Sequence, residues 1–85
     1  MTIRAHRKFV KDYNKLTKSQ KKKFKERRNL FLQDEFSPIL NNHALTGEYK
    51  GFRSINISGD LRAIFRREKD SVLFIVLDKH SNLYG

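Results

Sequence analysis

Three side chains in this sequence could move a proton or hold a reacting group: His43 in "NNHALTG", Asp60 in "SGDLR" and His80 in "DKHSNLYG". Imidazole is the side chain whose charge ordinarily changes between about pH 5 and 8, so a histidine serves as either acid or base. Each of the three also has a plainer explanation. A histidine in an Asn-rich loop is usually solvated, an aspartate after Ser-Gly is ordinary turn chemistry, and a histidine after an apolar run can cap a strand. Spacing narrows the chemistry further. His6, His43 and His80 are scattered, with no i, i+4 pair and no carboxylate beside them, so no metal is expected. No cysteine is present, which removes disulfides and zinc–thiolate sites. No glycine-rich phosphate loop and no nucleophile elbow occurs. Taken alone these residues select no reaction, and any chemistry depends on the fold bringing them together.

Charge suggests what the molecule meets. Nineteen Lys and Arg stand against nine Asp and Glu, a net charge of +10 and a pI near 10.2. A domain this basic is expected to meet phosphate, in RNA or a ribosome, or an acidic protein that neutralises it. The competing view is a solvated basic surface with no partner. The 85 residues are read as one domain, 1–85, with a necessarily small core. No stretch could span a membrane, and "MTIRAHRKF" carries charge where a signal peptide would be apolar. Together with the lack of cysteine, this leads us to expect a cytoplasmic protein.

The elements that must position the three groups are read from periodicity. Residues 2–5 suit a short strand. Phe9, Tyr13 and Leu16 recur at helical spacing, and Thr17 with Gln20 makes a capping box for a second helix over residues 18–33. That helix opens with Lys21, Lys22, Lys23, Lys25, Arg27 and Arg28, a dense positive surface suited to phosphate. Ser37-Pro38 is expected to end it. Three strands then follow, "YKGFRSINIS", "LRAIFRR" and "SVLFIVLDK", separated by Ser58-Gly59-Asp60 and Glu68-Lys69-Asp70. The expected fold is α+β, β-α-α-β-β-β, with two N-terminal helices on one face of a small, mainly antiparallel four-stranded sheet. The last strand is apolar on both parities and belongs in the sheet interior.

Hairpin register decides which side chains share a face. A two-residue loop sets Arg62 opposite Ile57. A three-residue loop sets Ile57 opposite Leu61, Ile55 opposite Ala63 and Arg53 opposite Phe65. The second is preferred because it gives the helices a largely apolar face. It leaves Ser54, Asn56, Arg62 and Arg66 on the other, expected to be polar, basic and open.

Two segments, "HALTGEYKGFRSINISGDLRAIFR" and "LFIVLDKHSNLYG", resemble the YafQ branch of the RelE/ParE superfamily of bacterial toxins. The shared pattern is His-x-Leu-x-Gly, then aromatic-Lys-Gly-aromatic-Arg, an Asp at the hairpin, and a terminal His-Ser-x-Leu-aromatic. The resemblance covers residues 43–85 without a gap. It implies a RelE-like fold and a toxin that cuts messenger RNA in the ribosomal decoding site, using the ribose 2′-hydroxyl as nucleophile and no metal. It implies a catalytic set of His43, Asp60, Arg62, His80 and Tyr84. A further histidine of the YafQ branch falls on Asn56, whose amide cannot exchange a proton, while Arg62 matches an arginine of the RelE-like branch. Lys50 and Lys79, with Arg62, would neutralise phosphate. Phe52 and Tyr84 would stack on a splayed base, and Arg53 and Asn56 would contact RNA. The implied partners are an acidic antitoxin, the ribosome and messenger RNA.

Two other functions suit such a fold. A ParE-like relative would poison DNA gyrase and cut nothing, and would have no chemical reason to carry His43, Asp60 and His80 together. A catalytically silent RNA- or ribosome-binding module is favoured by Asn56.

Overall fold

The structure is a computed structural model and describes residues 1–83; Tyr84, expected to wall a base pocket, lies outside the described residues. Strand β1 (Thr2–Ala5) leads into helix α1 (Arg7–Asn14), where the His6 ring accepts from the Lys8 amide at 3.1 Å. Helix α2 (Lys18–Gln33) begins with the expected capping box. The Gln20 amide donates to Thr17 Oγ1 at 3.1 Å, and the Thr17 amide donates to Gln20 Oε1 at 3.0 Å. Both helices thus start where a side chain meets an N–H that lacks a partner within the helix.

Ser37-Pro38 does not end α2. The helix stops at Gln33 with Asp34 as its cap, and Pro38 instead opens a 3₁₀ turn, Pro38–Leu40. The helix spans the expected residues 18–33, and the chain turns at Asp34 so that Phe31 and Leu40, both fully buried, enter the same core.

Strands β2 (His43–Ala44), β3 (Arg53–Ser58), β4 (Leu61–Arg67) and β5 (Ser71–Lys79) join β1 in one sheet, order β1-β5-β4-β3-β2. The sheet therefore has five strands rather than four, and the additional two-residue strand carries His43. Among the described residues, the β1–β5 pairing is parallel and the other three are antiparallel. As its two-sided apolar pattern requires, β5 lies inside the sheet. Where β1 runs out, the Asp12 carboxylate accepts from the Leu77 amide at 3.3 Å, so an α1 side chain continues the ladder. A short helix α3 (His80–Leu83) follows β5 directly.

One face of the sheet carries α1 and α2. Phe9, Phe24 and Phe31 pack onto Ile55, Phe65, Val72 and Phe74. Ring centroids lie 5.2 Å apart for Phe31–Phe65 and 5.4 Å for Phe9–Phe74. Each fully buried phenyl ring contributes about 2–3 kcal/mol of burial, and tilted pairs add somewhat more.

The β3–β4 hairpin combines both expected registers. Arg53 faces Phe65, Ile55 faces Ala63 and Asn56 faces Arg62, but Ser58, not Ile57, pairs with Leu61. A bulge between Asn56 and Ser58 reconciles them. Gly59-Asp60 closes the turn, Gly59 at φ 46, while Ile57 is the extra residue that keeps apolar parity. Ile57 is fully buried, and Arg27 Nε donates to its carbonyl at 3.1 Å.

The opposite face is less open than expected. Leu45, Ile64 and Val76 form a second buried cluster, with Tyr49, Phe52, Ile75 and Leu83 against it. Ile64 and Val76 are paired across β4 and β5, and the segment that follows β2 roofs them together with α3. Water is thereby kept from an apolar pair on an otherwise polar face.

Candidate active site

Directly paired antiparallel residues share a face, so the register lays out the site. One row across the sheet is Asn56, Arg62, Asp78 and the next is His43, Ser54, Ile64, Val76. Ser54 Oγ and Asn56 Oδ1 are buried on this face with no protein partner among the described residues. Unpaired buried polar atoms are rare enough in folded proteins to mark places that meet another molecule.

His43, on β2, and His80, at the start of α3, line one pocket of about 260 Å³ with Ala44, Leu45 and Thr46. They are far apart in sequence, and the sheet order alone would place them at different strands. Both rings are at the solvent surface. His43 Nδ1 lies 2.7 Å from the Asn41 carbonyl, and Asn41 adopts a left-handed φ of 46. A carbonyl only accepts, so Nδ1 carries the hydrogen in this bond. In the neutral ring, Nε2 then holds the lone pair. The Asn-rich loop sets the histidine's tautomer.

Asp60 does not enter that pocket. Its carboxylate Oδ2 accepts from Ser81 Oγ at 3.2 Å and from the Ser81 amide at 3.4 Å, while its carbonyl accepts from the His80 amide at 2.7 Å. Asp78, near the end of β5, holds the same segment from the strand that leads into it. Its Oδ1 accepts from the Lys79 amide at 2.7 Å and from Asn82 Nδ2 at 3.0 Å. Burial alone would raise the Asp78 carboxyl. The bonds from Asn82 and the Lys79 amide, with the charges of Lys8 and Lys79, outweigh it and hold the group below its ordinary 3.8. The sequence offered only a carboxylate at the end of the apolar strand, and its register opposite Arg62 is decided by the sheet.

Arg62 is half-buried and donates to the Gly59 carbonyl at 2.8 Å and the Leu61 carbonyl at 3.3 Å, so it lies along the hairpin turn. Arg53 is committed within the protein. Its Nε donates to Asn42 Oδ1 at 2.8 Å, and its guanidinium sits 5.6 Å over the Phe36 ring. Phe52 is half-buried in the second cluster, 6.4 Å from Tyr49, so it is packing rather than an open stacking platform. Lys50 is exposed in the segment after β2. Lys79 points to the helix side, near Lys15 and Gln20, away from the histidine pocket. Lys22 and Lys25 are exposed on α2, Lys21 lies 5.6 Å over the Tyr13 ring, and Lys23 stands 3.8 Å from Glu26. A hollow between Lys22, Lys23 and Ser58 joins this helix to the hairpin tip. The tip therefore has the basic helix on one side and the His80 segment on the other. Among the described residues, no group of three or more His, Cys, Asp or Glu is placed to hold a metal, and no helix is long and apolar enough to cross a membrane.

Comparison with solved structures finds the same fold repeatedly. YafQ from E. coli strain BL21(DE3) superposes with a TM-score of 0.82 at 21% identity, covering 98% of this chain and 97% of that one. YafQ in the E. coli DinJ–YafQ toxin–antitoxin complex gives 0.78 at 22% identity, over 98% and 96%. A YoeB/ParE toxin from Agrobacterium tumefaciens gives 0.77 at 18%, over 94% and 99%. No curated protein sequence matches. The family model for the bacterial toxin of the type II toxin–antitoxin system, YafQ, matches residues 1–85. The chain therefore belongs to the YafQ family of bacterial toxins of type II toxin–antitoxin systems.

Proposed function

We propose that this toxin is a ribosome-dependent endoribonuclease that cuts messenger RNA without a metal. The observation that carries the reading is the single pocket shared by His43 and His80. Cleavage through the ribose 2′-hydroxyl needs a base at that oxygen and an acid at the departing 5′-oxygen. His43 suits the base, because its Nδ1 bond to Asn41 leaves Nε2 to take the 2′-proton. The 2′-oxygen then bonds to phosphorus and the bond from phosphorus to the 5′-oxygen breaks. His80 donates its proton to that oxygen, giving a 2′,3′-cyclic phosphate and a free 5′-hydroxyl. Arg62 stands beside this face as the cation for charge that builds on the phosphorane. Asn56 binds through hydrogen bonds and moves no proton, and Tyr84 stacks on a base.

The lysines of α2 attach the molecule to ribosomal RNA, and an acidic antitoxin neutralises it. The DinJ complexes of E. coli YafQ support the second point. The test is His80→Ala on translating ribosomes, with circular dichroism and a melting curve alongside. Cleavage is expected to fall by about 10²-fold or more, with fold and ribosome binding kept. Full cleavage by a folded His80→Ala protein overturns the assignment of His80 as the acid, whereas no cleavage by the parent chain itself would leave a silent RNA-binding module.

A further inference from the structure

His80 follows the last residue of β5 at the very point where the sheet ends. Its segment is a helix of four residues, His80–Leu83, too short to hold itself in water. What holds it comes from outside. Two successive amides, His80 and Ser81, both donate to Asp60, the first to its carbonyl at 2.7 Å and the second to its carboxylate at 3.4 Å. Ser81 Oγ adds a third bond to the same carboxylate oxygen at 3.2 Å. Asp78 braces the next turn through Asn82 at 3.0 Å, and Leu83 rests on the second apolar cluster. Neither carboxylate is among the residues lining the histidine pocket. A carboxylate at the first amides of a helix satisfies donors that have no partner and favours the helical turn.

We propose that Asp60 is a positioning residue that acts on the reaction through His80, and that Asp78 shares this task from the opposite side of the segment. This rests on the nuclease reading above and departs from the resemblance, which would put Asp60 among the reacting groups. The carboxylate is needed as a hydrogen-bond acceptor; it transfers no proton and meets no phosphate. An amide in its place keeps one acceptor oxygen and loses the charge.

Cleavage on translating ribosomes and hydrogen exchange at the His80 and Ser81 amides are measured for Asp60→Asn, Asp60→Ala and Ser81→Ala. Asp60→Asn is expected to cleave within about threefold of the parent and to keep the Ser81 amide protected. Asp60→Ala should lose at least tenfold in cleavage together with that protection. Ser81→Ala should fall between them, and adding it to Asp60→Ala should cost nothing more, because both changes remove the same bond. If Asp60→Asn is as inactive as Asp60→Ala while Ser81 stays protected, the carboxylate is a reacting group and the proposal is wrong. Unchanged protection in Asp60→Ala also overturns it. Should the parent chain itself cleave nothing, the nuclease reading fails, and exchange alone still decides whether Asp60 holds the segment.

Discussion

His43 and Asn56 stand on the same face yet are suited to different work, and mutation should separate them. An amide that only hydrogen-bonds is worth about 1 kcal/mol, roughly a fivefold effect, so Asn56→Ala should lower cleavage by less than tenfold. His43→Ala removes the proposed base and should lower it by about 10²-fold or more; single-turnover cleavage assays compare the two. Asp78 supplies a pH test. Its carboxyl is held below 3.8 in the folded protein, so it binds protons less readily there than in the unfolded chain. The resulting stability is present above the unfolded value and is lost as pH falls through the folded one. Asp78→Asn should therefore lower the melting temperature at pH 7, and the gap from the parent should close below about pH 4. A gap that is constant with pH would mean that the carboxylate's charge does not contribute.

Elements determine how firmly each histidine is held. The capping box at Thr17 satisfies donors at the start of α2, and its loss costs about 1 kcal/mol. Thr17→Ala should therefore lower the melting temperature by about 4–8 °C and leave cleavage unchanged below the transition. The β2 segment is held differently. Arg53 grips Asn42 at 2.8 Å, and Asn42 Nδ2 donates in turn to the Glu35 carbonyl at 3.1 Å. Arg53→Ala should loosen the residues before His43 and reduce cleavage several-fold, while α2 and the ribosome binding proposed for it persist. A direct RNA contact by Arg53 would weaken ribosome binding instead, so co-sedimentation distinguishes the two.

Over the whole molecule, charge and chemistry divide between the two faces. The +10 charge is concentrated most densely on α2, on the helix side, and the histidine pocket lies on the other. The hairpin tip is where the two approach. Replacing Lys21, Lys22 and Lys23 with glutamine should weaken ribosome co-sedimentation. It should also make the slope of log binding against log salt shallower by roughly two, because fewer counterions are released. Unchanged sedimentation at low salt would mean that this surface is only solvated.

Local chemistry was readable in the sequence wherever neighbours in the chain decide the outcome. Thr17 and Gln20 marked the start of α2 because a capping box closes within one turn. The β5 run marked an interior strand because both its parities are apolar. The parity of Ile55, Ala63 and Phe65 fixed most of the β3–β4 register, since a slip would have turned the core to water. The motif around His43, Asp60 and His80 was likewise visible as a family likeness. What the residues alone could not decide depended on contacts between distant segments. His43 joined a strand because Ser54 offered it an edge, and the second face was roofed because Ile64 and Val76 needed cover. The bulge at Ile57 and the 3₁₀ turn at Pro38 both arose from side chains sharing one core. The pocket that His43 and His80 line together, and the hold of Asp60 on Ser81, likewise exist only once the strands are stacked in order. Hydrogen bonds and packing across the sheet have no period along the chain, so only the folded structure reveals them.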